Sequence, residues 1–163
     1  MSKEKTVKQD QMGFELLKDA VLDLLNRFPA LNGRSITLGG LLQDSGISME
    51  PNSGALVISE QKDILGTTWQ RCQFPFFVVY RSYPDSEYKR INIMEFLDDL
   101  GAWLSKEPVN INGEEHILTE YPAISDRRKI TDVVRFNSYA LEPNDNNTQD
   151  WVIPITVNYT HYY

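Results

Sequence analysis

From Trp151 to the end of the chain, apolar and polar residues alternate: Trp151, Ile153, Ile155, Val157 and Tyr159 against Val152, Pro154, Thr156, Asn158 and Thr160. A β-strand turns successive side chains to opposite faces, so this spacing predicts a strand with one apolar and one mostly polar face, half-buried in an antiparallel sheet. The preceding run, Glu142–Asp150, is made of turn formers and polar groups. It suits a long exposed hairpin connection to an earlier strand, expected over Arg128–Leu141.

Further upstream, Phe74, Phe76, Phe77, Val78, Val79 and Tyr80 form a near-continuous β-favouring run within Cys72–Tyr83. Such a run predicts a central strand covered on both faces, and Pro75, which cannot donate to the ladder, places that end at an edge or a bulge. Ala55–Ser59 reads as a strand that Asp63–Trp69 can pair with, and a short one is expected near His116–Tyr121. Two stripes have helical spacing instead. Phe14, Leu17, Val21, Leu24, Leu25 and Phe28 predict a helix over Met12–Phe28, stopped by Pro29. Ile93, Phe96, Leu97, Leu100 and Leu104 predict a second over Asn92–Lys106, with Asn92 as N-cap, Glu95 completing a capping-box pattern and Pro108 as the stop. Between Ala30 and Pro51, glycine-rich punctuation breaks the chain into short strands or turns. The expected fold is α+β, two helices packed on one face of an antiparallel-rich sheet: a single domain over 12–163 behind a flexible N-terminal arm, 1–11.

A chain of 163 residues has room for one sizeable core. The formal charge is −7, and residues 1–8, with three lysines against one glutamate, leave the remainder at −9. An acidic body repels phosphate backbones, which directs the search for partners toward proteins. No apolar run reaches the length of a membrane span, and Met1–Lys8 lacks the apolar stretch of a signal peptide, so a cytosolic, membrane-free setting is expected.

Chemistry-bearing residues are few. Cys72 is the only cysteine and His116 and His161 the only imidazoles, and none sits in a nucleophile–base pattern. Cys72 reads as a small buried hydrophobe, His116 as an edge residue and His161 as part of an aromatic chain end. Neighbouring carboxylates at Asp98-Asp99 and Glu114-Glu115 point apart on a helix or strand, so they read as solvated faces. No phosphate-binding glycine loop is present. The expectation is a non-enzyme that needs no cofactor and no metal.

Two segments resemble a known family. Ile91-Asn-Ile-Met-Glu-Phe-Leu-Asp-Asp-Leu-Gly-Ala-Trp-Leu104 is similar to the short helix ending in Gly-x-Trp of the tail-terminator, or neck, proteins of long-tailed bacteriophages, also labelled minor capsid or minor tail proteins. Ser138–Leu141, the polar loop and Trp151–Tyr163 resemble that family's closing hairpin with its tyrosine-rich strand, and the likeness covers about residues 72–163. It implies a homo-oligomeric ring, usually of six copies, that caps the head-proximal end of the tail tube. Implied partners are the tube and sheath proteins and the head-completion or connector protein, with DNA passing through the channel unbound and the protein residing in the virion after assembly in the bacterial cytoplasm.

A ring subunit needs a rigid body, edges that match identical neighbours and loops that order on contact. Candidate contact residues are Pro84, Asp85, Tyr88, Lys89 and Arg90 in the turn before the second helix, and the basic cluster Arg127, Arg128 and Lys129. Asn144, Asp145 and Asn146 in the long loop, and Trp151, Tyr159, Tyr162 and Tyr163 on the last strand, complete the set. The loops read equally well as plain solvated connections. Alternatives are another neck, head-completion or tail-tube subunit, or, from a different class, a small ligand-binding domain or enzyme using Cys72, His116 or His161.

Overall fold

A computed structural model describes residues 8–40, 45–83 and 86–163. Among them the chain forms helix α1 (Gln11–Leu25), strands β1 (Ile36–Leu38), β2 (Gly46–Pro51), β3 (Leu56–Lys62) and β4 (Thr68–Ser82), and helix α2 (Glu87–Leu104). Strands β5 (Val109–Ile111), β6 (Glu114–His116), β7 (Arg128–Arg135), β8 (Tyr139–Ala140) and β9 (Gln149–Tyr162) follow. Seven strands make one sheet in the order β1-β2-β4-β9-β7, with β3 also on β4 and β8 also on β9; only β1 and β2 run parallel. β5 and β6 form a separate small hairpin where one strand near His116–Tyr121 is expected.

The spine is the antiparallel pair β4 and β9, in register from Trp69↔Tyr162 to Ser82↔Gln149. Each spine strand outruns its outer neighbours. Opposite β4, β3 ends at Leu56↔Gln73 and β2 takes over at Pro51↔Phe76. Opposite β9, β7 ends at Arg135↔Ile155 and β8 takes over at Tyr139↔Val152. A proline stands at each handover. The Pro75 carbonyl accepts from the Asn52 N–H at 3.2 Å, and the Pro154 carbonyl accepts from the Phe136 N–H at 3.1 Å. A strand residue turns its nitrogen and carbonyl to the same side, so both ring nitrogens face gaps and neither costs the spine a ladder bond. Pro75 is therefore interior to the sheet, where an edge or bulge is expected.

Both helices lie on one face, as the sequence leads one to expect. Phe74, Phe76, Val78, Ile153, Ile155 and Val157 point toward them and are buried. Phe14 of α1 meets Phe74 at 5.7 Å between ring centroids, Phe96 of α2 meets Tyr80 at 5.6 Å, and Phe28 closes the gap by touching Phe96 and Trp103. α2 comes close because Gly101 has no side chain: a Cβ there would stand 2.7 Å from Ile153 Cδ1. α1 ends before Pro29, because the Asn26 side chain donates to Leu22 O and Ile36 O and accepts from the Ile36 N–H, so it ends the helix and holds β1. α2 starts earlier than Asn92 predicts. Ser86 caps it, accepting from the Lys89 N–H at 3.1 Å, so Tyr88, Lys89 and Arg90 form its first turn and not a loop.

The arm also gives way to the fold sooner than residue 11. Gln9 bridges to Leu56, the Asp10 N–H donates to Ala55 O at 2.9 Å, and the Asp10 carboxylate caps α1 through the Gly13 N–H. Residues 1–7 lie outside the described residues.

Candidate functional site

A cluster of titratable side chains is buried under the start of α1. The Asp10 carboxylate accepts two hydrogen bonds from the Arg128 guanidinium at 2.7 and 2.9 Å, one from the Tyr159 phenol at 2.8 Å and one from the Gly13 N–H at 3.0 Å. Burial opposes its ionisation, but these donors outweigh burial and hold the carboxyl below its ordinary value. The same burial pushes the Cys72 thiol up to about 11 and raises the Tyr159 phenol still further, so both stay protonated. A protonated, buried thiol is a poor nucleophile. This cluster fastens the N-terminus of α1 to β7 and β9.

His161 is buried too, with Nδ1 3.1 Å from Gln70 Oε1 and its ring 4.5 Å from that of Tyr163. Desolvation, reinforced by the Arg128 charge, lowers its pKa. His116 lies on the β5–β6 hairpin with Nε2 3.7 Å from Glu114. His161 and Cys72 both border the Asp10–Arg128 cluster, His116 stands apart on its hairpin, and among the described residues no group of three His, Cys, Asp or Glu is placed to hold a metal. The carboxylate pair at Asp98-Asp99 is split, since Asp98 accepts from the Ser138 N–H at 3.0 Å.

Several expected contact residues have other employment. Trp151 and Tyr159 belong to the core, because they lie on the β9 face that the helices cover. Arg128 is committed to Asp10, while Arg127 and Lys129 on either side are exposed, so strand alternation breaks up the basic cluster. In the long loop, Thr148 is fully buried: its hydroxyl donates to Asn146 Oδ1 at 2.6 Å and accepts from Asn144 Nδ2 at 3.0 Å, while the Asn144 N–H donates to Thr148 O. That leaves Asp145 and Asn146 at an exposed tip held by the loop's own hydrogen bonds. Tyr88, Tyr162 and Tyr163 are exposed as expected. Pro84 and Asp85 lie outside the described residues.

The sheet face turned away from the helices carries the feature that sequence reasoning missed. Val134 pairs with Thr156, the Phe136 N–H bonds to Pro154 O, Phe77 pairs with Pro154, and Tyr139 pairs with Val152. Alternation puts all four apolar side chains on that second face, where Val134, Phe136 and Tyr139 are 42%, 59% and 45% exposed. The run Phe76–Tyr80 predicts cover on both faces of β4, and although both helices lie on one face, Ser48, Val79 and Val152 are buried on the other and Phe77 is half-buried, so the cover holds there and fails toward Val134 and Phe136. Near the other end of the same face a concavity of about 700 Å³ is lined by Ile58, Trp69, Arg71, Asn158 and Tyr162, with Asp132 at its side. Far out at that end, the β3–β4 hairpin tip holds Ile64 and Leu65, 102% and 92% exposed.

No protein-family model matches the chain, and no curated protein matches it.

Proposed function

We propose that this chain is a structural virion protein, a tail terminator of a long-tailed bacteriophage that forms a ring, of six copies by analogy, on the head-proximal end of the tail tube and offers the surface to which the head joins. The resemblance of residues 72–163 to that family supplies the assignment. The observation that supports it best is the exposed part of the second sheet face, whose apolar side chains at Val134, Phe136 and Tyr139, beside the half-buried Phe77, are what a subunit holds ready for neighbours. An acidic body, net −7, suits a channel that lets DNA pass without adhering. In this role the chain does no chemistry, and its partners are its own copies, the tube and sheath proteins and the head-completion protein.

Mixing the purified protein with its tail-tube protein and viewing the product by electron microscopy tests the assignment. Closed rings on tube ends, with tubes shorter than those formed without the protein, are expected. A protein that leaves tube length and tube ends unchanged would refute it. The cavity on the open face favours a second reading, a small-ligand-binding domain: Trp69 and Tyr162 supply flat apolar walls and Arg71, Asp132 and Asn158 supply polar groups beside them.

A further inference from the structure

The β3–β4 hairpin ends in an unusual tip. Turns are ordinarily built from polar residues, glycine and proline, yet Asp63-Ile64-Leu65-Gly66-Thr67 places two large aliphatic side chains at the point furthest from the sheet, both almost wholly in water. The backbone beneath them is firmly set. The Asp63 N–H donates to Thr67 O at 2.9 Å, the Gly66 N–H donates to Asp63 O at 3.1 Å, and the Thr67 N–H donates to Asp63 Oδ1 at 2.8 Å. Gly66 takes the φ of +88° that closes the turn, a conformation costly for other residues. A rigid apolar point loses little conformational entropy when it is covered.

An apolar surface of matching character exists on the same molecule. It is the second-face patch of Phe77, Val134, Phe136 and Tyr139, bounded at one end by the Arg81–Asp150 ion pair at 2.7 Å. The tip cannot reach its own patch, because Thr68, where β4 leaves the turn, and Phe77, in the patch, are separated along one unbroken strand by roughly 30 Å. An apolar tip beyond one end of the sheet and an apolar patch at its middle can meet only between copies. Such a contact is head-to-tail, and it gives closed rings when the rotation per copy closes and open chains when it does not.

We propose that Ile64 and Leu65 of one copy seat on the Phe77–Val134–Phe136–Tyr139 face of the next, and that this contact joins the copies of this chain to one another. It rests on the ring reading above by naming the surfaces that would build the ring. The like charge of the copies opposes it, so raising the ionic strength tightens the association.

Native mass spectrometry and sedimentation velocity on the full chain test it. Ile64→Asn with Leu65→Asn alters only exposed side chains, and Phe136→Asn alters the patch; circular dichroism checks that each variant is folded. Each is expected to weaken self-association about tenfold or more. An equimolar mixture of the two variants retains one intact tip and one intact patch, so it forms heterodimers that grow no further. In a second arm, Leu65→Cys on one chain and Phe136→Cys on another form an intermolecular disulfide, which the buried Cys72 does not join. Wild-type chains that stay monomeric up to the solubility limit overturn the inference. Rings that persist in the tip variant overturn it and leave the ring reading standing. Open chains that the tip variant abolishes support the contact and count against the ring.

Discussion

The Asp10–Arg128 pair allows a quantitative check of what holds the N-terminus to the sheet. Replacing Asp10 with alanine strips the Arg128 guanidinium of both carboxylate contacts while it remains buried, a loss of about 3–5 kcal/mol for a partnerless buried charge, and removes the helix cap, about 1 kcal/mol more. Outward swinging of the long arginine side chain recovers part of this, so about 4 kcal/mol is expected. Arg128→Met costs less, about 2 kcal/mol, because Asp10 keeps the Gly13 N–H and the Tyr159 phenol and methionine keeps the packing of the arginine stem. In the double variant no charge is stranded, so its loss falls short of the sum by about 2–3 kcal/mol. Guanidinium denaturation followed by tryptophan fluorescence measures all three. Losses that add within about 0.5 kcal/mol, or an Asp10→Ala cost below about 1 kcal/mol, would show that the pair is not coupled and that α1 is held some other way.

Acid should weaken the fold in two stages. His161 has a lowered folded pKa, so below the ordinary 6.5 the unfolded chain takes up a proton first and stability declines until the folded value is passed; Asp10, also lowered, keeps its contribution above the ordinary 3.8 and loses it as pH falls toward its folded value. Denaturation midpoints measured from neutral pH downward should show both stages, and His161→Gln should remove the upper one. Gly101→Ala should destabilise by about 1–2 kcal/mol despite alanine's better helix propensity, because the added carbon collides with Ile153 and Arg135; thermal unfolding checks it, and a rise in midpoint would contradict the close approach of α2. Pro154→Ala should change stability by less than about 1 kcal/mol, since the nitrogen it restores faces a gap in the ladder; a loss above about 2 kcal/mol in chemical denaturation would mean that the gap is closed or that the ring's packing beside Phe77 and Phe136 holds the sheet.

Much of the fold was legible because long strands and amphipathic helices write periodic patterns. The alternation in Trp151–Tyr159 marks β9 and its buried face, and the stripes of Leu17–Leu25 and Ile93–Leu104 mark both helices. What failed were boundaries set by single polar contacts. Ser86 starts α2 and Asn26 ends α1 through hydrogen bonds whose partners no local pattern announces. The burial of Trp151, Tyr159 and Arg128 was hidden for another reason: alternation gives a strand two faces, but which of them is covered depends on where the helices fall. One signal for the observed surface was present: an Ile-Leu pair, Ile64 and Leu65, beside Gly66 in a turn.

The staggered partners of β4 and β9 have a mechanical consequence. The spine is an unbroken ribbon of paired residues from Trp69↔Tyr162 to Ser82↔Gln149, whereas the flanking strand is interrupted opposite Pro75 on one side and opposite Pro154 on the other, two steps of register apart. Each break removes support from one side of the ribbon only, so bending stiffness is lowest across the short stretch that holds both. A load taken up at the hairpin tip would flex the sheet there, tilting the half that carries β8 and the start of α2 without breaking a single hydrogen bond of the spine.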